Sequence, residues 1–516
     1  MSVAMEPYLV HHFLERAAEA APDRPALLHD GRRLTYGELA RDANRLARAF
    51  AGAGIARGDR IGLLAANSFL YVAAYYAALK CGAIAVPLNT AADPASLRGF
   101  LADCGARALV AGPRFGRAAL DAAAALPDLA VFFAPGAERL PPPPAHIAFF
   151  DLDAALAEEA GAPPDRATID LDAASIVYTS GSTGRPRGAT LSHLNLVANT
   201  RSIVSYLGLG PDDRVLDVLP FHYVYGKSLL NTHVAAVGSV AIENRFLFPN
   251  TALDTLEREE CTGFAGVPST FAILLNRSNF AERRLPSLRY VTQAGGAMSP
   301  ELTRRLVAAL PGRKVFVMYG ATEAGARLAC LDPADLPRKL GSIGRAIPNV
   351  ELFVRREDGS EAATDEVGEI VARGSNIMRG YWGDPEETGR ALVDGAYRTG
   401  DLARRDEDGF LWIVGRKKDM IKSGAHRIAP KEIEDAILEF PEVHEAAVVG
   451  VPDELLGEAI KAFVVFREGA PDETLAALEA FLRRRLPAYK VPGACERRAE
   501  LPKNESGKVL KRLLVE

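Results

Sequence analysis

Apolar positions recur along this chain in two rhythms. Leu39, Ala43, Leu46 and Phe50 follow one another at helical spacing behind Thr35 and Glu38, a capping-box pair, and the run stops at Gly52 and Gly54. That predicts an amphipathic helix. Short apolar runs follow at 61–66 and 83–88 with a helical stretch between them, and this alternation predicts βαβ units and parallel sheet. Further strand-like runs at 175–179, 215–219, 240–242, 264–267, 288–292 and 315–318 each end in a Gly-rich or polar loop. In open α/β sheets ligands gather at the carboxyl ends of strands, so those loops are where chemistry is expected.

The rhythm changes near residue 415. Beyond it, 430–440 predicts a helix, 446–451 and 460–466 predict strands, and 475–486 predicts a second helix, the outline of a small separate α+β unit. A chain of 516 residues is too long for one ordinary core, which agrees with two or more domains. The four prolines at 141–144 read as an exposed loop rather than a domain break. The apolar stretch 71–87 is interrupted by Lys80, so no membrane span is expected.

Composition narrows the picture further. A net charge of −5 leaves no basic footprint of the kind nucleic acid requires. The five cysteines are widely spaced and form no CxxC pair, so neither a disulfide framework nor a zinc site is expected, and a reducing cytoplasm is the simplest setting.

The sharpest local signal is Tyr178, Thr179, Ser180, Gly181, Ser182, Thr183, Gly184, Arg185, Pro186, Arg187, Gly188. The glycines allow tight turns with N–H groups pointing inward, the hydroxyls add donors, and the arginines add charge. This suits a polyphosphate cradle, although it lacks the Walker A pattern. A flexible hydrophilic loop is the plainer reading of such a run, and the strand before it and arginines after it weigh against that. Four more segments stand in order behind it: Gly295, Gly296 and Ala297; Tyr319 to Glu323; Tyr397 to Asp401; and the run from Gly415 through Arg416 and Lys418 to Gly424. A last one, Pro502 to Lys508, lies near the end of the sequence.

With these motifs in this order, the sequence resembles the superfamily of adenylate-forming enzymes: acyl- and aryl-CoA synthetases, adenylation domains of peptide synthetases, and beetle luciferases. The resemblance covers nearly the whole chain. It implies an α/β fold, with a large N-terminal multi-sheet α/β domain (1–415), a hinge (416–418) and a small, mobile C-terminal α+β domain (419–516). It implies ATP and Mg²⁺, with CoA or carrier-protein phosphopantetheine as acyl acceptor and a small-molecule carboxylic acid as substrate.

The residue roles carry over from the same resemblance. Thr179, Ser180, Gly181, Ser182, Thr183, Gly184 and Arg187 resemble the loop that holds the β- and γ-phosphates. Tyr319 resembles the aromatic residue stacked on adenine, with Gly295, Gly296 and Ala297 alongside. Thr322 resembles a phosphate ligand and Glu323 the carboxylate that helps hold Mg²⁺. Asp401 resembles the acid that grips the ribose hydroxyls, assisted by Arg416. Lys508 resembles the lysine that bridges carboxylate and α-phosphate, Lys418 the hinge residue, and Gly424 the glycine beside incoming pantetheine. His222 falls at the acyl-pocket gate. The pocket is expected to include Tyr223, 266–270 and 295–297.

The chemistry agrees with these roles. Adenylation sets one anion against another, so it needs a metal and a fixed cation rather than a general base, since the acid is already ionised at neutral pH. Amino-acid-activating relatives place an Asp after the Phe of the gate segment. Here Phe221 is followed by His222, which favours a substrate without an α-amino group. Two departures stand out: the phosphate loop ends Arg187, Gly188 where the family has Lys-Gly, and Asn504 stands where Thr is common. A carrier-protein ligase, a luciferase-like oxygenase and a nucleotide-sensing pseudoenzyme are the alternatives, and the oligomeric state is left open.

Overall fold

The computed structural model describes residues 6–136, 139–159, 161–164, 167–179, 186–424, 426–467, 469–503 and 509–515. The expected helix runs Tyr36–Gly52, and its cap closes both ways: Glu38 N–H donates to Thr35 Oγ1 at 3.2 Å and Thr35 N–H to Glu38 Oε2 at 2.8 Å. Leu39, Ala43, Leu46 and Phe50 are buried, as their spacing requires.

Among the described residues four sheets organise the chain. In the eight-stranded sheet, six neighbours run parallel in the order Ala173–Thr179, Ile84–Pro87, Arg60–Leu64, Ala108–Ala111, Val131–Ala134 and Ala148–Asp151. The antiparallel Arg187–Ser192 and Gly380–Tyr381 finish one edge. The prolines at 141–144 lie in the loop between its last two strands, inside one sheet.

A nine-stranded sheet centres on parallel Lys314–Tyr319, Tyr290–Gln293, Gly263–Gly266, Arg214–Asp217, Ser239–Ile242 and Pro25–His29. Apolar residues of both sheets and of the helices between them share one core, which includes Leu27, Ile61, Val72, Tyr75, Leu230 and Val240. Every residue of the helix Val224–Ala235 is buried, which marks it as an inner element with no solvent face. The apolar stretch at 71–87 proves to be the helix Phe69–Lys80 and the strand Ile84–Pro87, and the buried Lys80 pairs with Glu15. Among the described residues no helix is long and apolar enough to cross a membrane.

The periodicity did not reveal the third sheet. Val350–Arg355, Gly368–Gly374, Ala396–Arg405 and Leu411–Arg416 pair antiparallel, so the chain is not parallel throughout. Lys417–Asp419 then leads into a fourth sheet, which includes Ile421–Ser423, Val443–Asp453 and Gly457–Phe466. The helices Pro430–Leu438 and Thr474–Arg485 pack over it on their own core, which includes Ile433, Ile437, Val448, Val464 and Leu482. This is the α+β tail its pattern predicted. Polar pairs such as Arg427–Glu357 at 2.8 Å and Arg467–Asn276 at 3.2 Å tie it to the rest of the chain.

Candidate active site

The carboxyl ends of Lys314–Tyr319, Tyr290–Gln293 and Ala173–Thr179 carry the expected segments. Tyr319 closes its strand with its hydroxyl donating to Asp401 Oδ2 at 2.7 Å. Asp401 is 7% exposed and faces Arg416 across two antiparallel strands, with Arg416 Nε 2.8 Å from Asp401 Oδ1. Burial and the Asp401 carboxylate push the Tyr319 phenol well above its ordinary range, so it remains a donor. Three residues distant in sequence thus form one hydrogen-bonded wall, and Asp401 still has acceptor lone pairs to offer a neighbouring hydroxyl.

The chain turns directly after Tyr319. Thr322–Ala324 form a short 3₁₀ turn that ends at Gly325, whose φ is +68°. Tyr381 donates its hydroxyl to Glu323 Oε1 at 2.8 Å, and Met378 N–H holds the Glu323 carbonyl at 2.7 Å. Burial and the neighbouring Glu323 raise the Tyr381 phenol, so this donor also keeps its proton. The other oxygen of Glu323 carries no hydrogen bond among the described residues. A carboxylate held on one side and open on the other fits a hard cation such as Mg²⁺, which takes oxygen ligands. Arg187 lies 5.6 Å over the Tyr381 ring and 2.6 Å from Glu387. Thr179 faces Arg187 in register. Ser180, Gly181, Ser182, Thr183 and Gly184, with Lys508, lie outside the described residues.

Gly295, Gly296 and Ala297 are exposed just past Tyr290–Gln293. Gly295 has φ +83°, and a Cβ there would come within 2.8 Å of the Tyr223 hydroxyl, so only glycine lets this segment lie against Tyr223. Asn67 fixes the gate segment: its Oδ1 accepts Phe221 N–H at 2.7 Å and its Nδ2 donates to the Leu219 carbonyl at 2.8 Å. Burial, and next the charge of Lys227, lower His222 to about 4, so its imidazole is neutral at pH 7. Gly424 stands apart. It is exposed in the tail, at φ +57°, with its N–H on the Leu456 carbonyl at 2.8 Å. The structure therefore brings Tyr319, Asp401 and Arg416 together, and Glu323 close to Arg187 through Tyr381. It leaves Gly424 in the tail.

Two residues were not anticipated. Tyr381 carries no motif signal, because its partner lies 58 positions away. Arg327 had a signal: one charge in the otherwise apolar run Ala326, Leu328, Ala329, Cys330, Leu331.

With this geometry in view, the family comparisons are specific. The AMP-binding enzyme family matches residues 14–382, and the AMP-binding enzyme C-terminal domain matches residues 432–508. A feruloyl-CoA synthase from Amycolatopsis sp is 36% identical over 500 residues, 96% of each chain. A sulfoacetate–CoA ligase from Cupriavidus necator is 38% identical over 500 residues, 95% of this chain and 94% of that one. The crystal structure of an anthranilate CoA ligase in complex with anthranoyl-AMP matches with a TM-score of 0.90 at 27% identity, covering 100% of this chain and 98% of that one. The chain belongs to the AMP-binding enzyme family, within the adenylate-forming superfamily that its motifs resemble.

Proposed function

We propose that this chain is an AMP-forming acid–CoA ligase that uses ATP and Mg²⁺ to activate a small-molecule carboxylic acid. A carboxylate oxygen attacks the α-phosphorus of ATP. The bond to the bridging oxygen breaks, and pyrophosphate leaves with its electron pair. In the second half-reaction the thiol of CoA gives up its proton, its sulfur attacks the acyl carbon, and AMP departs. The observation that carries the reading is the wall formed by Tyr319, Asp401 and Arg416, set one turn away from Thr322 and Glu323. A nucleoside held by the first group would put its phosphates over the second.

The residue roles follow from charge. Asp401 accepts from the ribose hydroxyls while Arg416 and Tyr319 hold its orientation. Glu323 and Thr322 face the phosphates, and Arg187 with the loop 179–184 steadies the β- and γ-phosphates as a planar fork rather than a point charge. Glu323 would hold Mg²⁺, which when bound would supply positive charge where the phosphate oxygens gain negative charge. Lys508 brings an ammonium group between carboxylate and α-phosphate. Neutral His222 lines the gate and offers one N–H without drawing the carboxylate away from phosphorus. Gly295, Gly296 and Ala297 form the facing wall.

The tail at 419–516 acts as a lid on the body at 1–415 and turns about 416–418. One orientation delivers Lys508, and the other presents Gly424 to pantetheine. The polar, exposed ties between tail and body support such rotation. The five free cysteines support a reducing compartment, the cytoplasm. The test is pyrophosphate release across aliphatic, aromatic and amino acids, followed by mass spectrometry with CoA or a holo carrier protein as acceptor. A thioester on CoA is expected, and an acyl group found only on the carrier protein would move the acceptor assignment. Failure to make pyrophosphate or acyl-AMP from any acid would overturn the reading.

A further inference from the structure

The residue that sequence reading missed bears on which acid is activated. Arg327 is 3% exposed. Its backbone is pinned, because its carbonyl accepts from Asn199 Nδ2 and from Asn376 Nδ2, each at 2.9 Å. The guanidinium lies 4.0 Å over the ring of Tyr225. Its other partners are the Ala326 carbonyl at 3.0 Å, Met318 Sδ at 3.4 Å, and the Tyr206 hydroxyl, which itself donates to Met318 Sδ at 2.9 Å. All of these are neutral, and among the described residues no carboxylate pairs with Arg327. Asp217 is the buried acid whose charge also reaches Tyr225. Burial pushes its carboxyl well above the usual carboxylate range, which favours its neutral form, and no ion pair joins it to Arg327 among the described residues. A permanently charged guanidinium buried among neutral groups is costly unless an anion completes the site.

The surroundings say where that anion would sit. Tyr225 follows the gate residues His222 and Tyr223, and its hydroxyl bonds Thr292 on the strand leading to Gly295. The Arg327 charge is felt at Tyr223, whose hydroxyl lies against Gly295. Arg327 itself is four positions beyond Glu323 in one loop. It therefore stacks on the gate segment, acts electrostatically on Tyr223, and shares a loop with Glu323. Resting on that reading, we propose that Arg327 receives a second anionic group on the substrate, so that the preferred acids carry a carboxylate or sulfonate at the end remote from the reacting carboxylate.

The experiment compares length-matched acids that differ only in the remote group: pentanoate with glutarate, heptanoate with pimelate, 3-methylbenzoate with isophthalate, and butyrate with 3-sulfopropionate. Pyrophosphate release by the full-length chain is expected to favour the dianionic member of at least one pair by about 10- to 100-fold in kcat/KM, the range of a hydrogen bond to a charged group. In Arg327→Met that preference is lost, chiefly through a raised KM for the dianion. In Arg327→Lys, which retains the charge but not the fork, part of the preference returns. Melting temperatures of both variants identify any loss due to misfolding. The assignment is overturned if the monoanion is preferred in every pair, or if Arg327→Met slows both members equally. If no acid yields pyrophosphate, the ligase reading has failed, and calorimetric binding of the same pairs then decides for Arg327. Tighter binding of the dianion by the parent chain than by Arg327→Met upholds it, and equal binding removes it.

Discussion

Several basic residues of the tail and two of the body are held in opposite ways. In the tail they find acids at the surface. Arg485 grips Glu439 with two bonds of 2.7 and 2.9 Å, Lys490 meets Glu432 at 2.6 Å, Arg497 meets Asp472 at 3.0 Å, and Lys511 meets Glu434 at 2.6 Å. In the body, Lys227 and Arg327 are buried, and among the described residues neither has a carboxylate partner. Among the described residues Lys227 meets Ser175 Oγ at 3.4 Å and the face of Tyr75 at 5.2 Å. Exposed pairs are worth little and say little about function, whereas a buried cation without an acid costs stability that something must offset. The position of a charge is therefore more informative than the number of charges.

Lys508 tests that lesson most severely. By sequence it belongs to the basic tail, yet the proposed mechanism has it working in the body. Lys508→Ala is expected to slow adenylation by roughly two to three orders of magnitude, the scale of losing a charge partner in the transition state. Thioester formation from supplied acyl-AMP should survive. Pyrophosphate release and single-turnover thiolation measure the two halves separately. Equal damage to both would return Lys508 to the tail's surface charges.

Lys227 is the next largest effect, and it is one of stability. Burial lowers its pKa from 10.5 to about 7. The unfolded chain keeps this proton up to about pH 10.5 and the folded chain only to about 7, so between those values the unfolded state binds more protons and stability rises with pH. Below about 7 both states carry the proton, and the whole cost of the buried charge is present. Lys227→Met should therefore stabilise the protein by about 1–4 kcal/mol at pH 6.5. That advantage should shrink as the pH approaches 10. Thermal melts of the two chains from pH 6 to 10 provide the check. A variant less stable across the whole range would show that Lys227 is compensated in place.

Much of this was legible in the sequence, for reasons specific to each part. Strands such as Gly263–Gly266 and Lys314–Tyr319 are apolar runs cut off by Gly and polar residues, so the string of letters marks them. Their ends shift by a residue or two where side chains intervene: the run expected at 215–219 stops at Asp217, whose Oδ1 takes the Leu219 N–H at 2.8 Å. The third sheet stayed hidden because Val350–Arg355 and Ala396–Arg405 are half-buried and mix charges with apolar residues. The division into two large sheets was equally hidden, since Pro25–His29 pairs with Ser239–Ile242 more than two hundred positions away. Motif residues such as Asp401 and Glu323 stood out through the family resemblance that their segments carry. Tyr381, which holds Glu323, did not, because its role exists only once the short strand Gly380–Tyr381 meets the turn Thr322–Ala324.

The smallest effect is also the control for the comparison. Arg485→Ala removes both bonds to Glu439 and with them a clasp between the ends of Pro430–Leu438 and Thr474–Arg485. Both side chains are roughly half exposed, at 53% and 42%, so water and salt already screen the pair. A loss under about 1 kcal/mol is expected, and it should fade as salt rises. Adenylation should be unchanged. Denaturant melts at low and high ionic strength measure this, and the result bears on the two buried cations as well. If an exposed clasp proved worth several kcal/mol, surface and interior charges would no longer be separable by burial, and the argument that singles out Arg327 would lose its baseline.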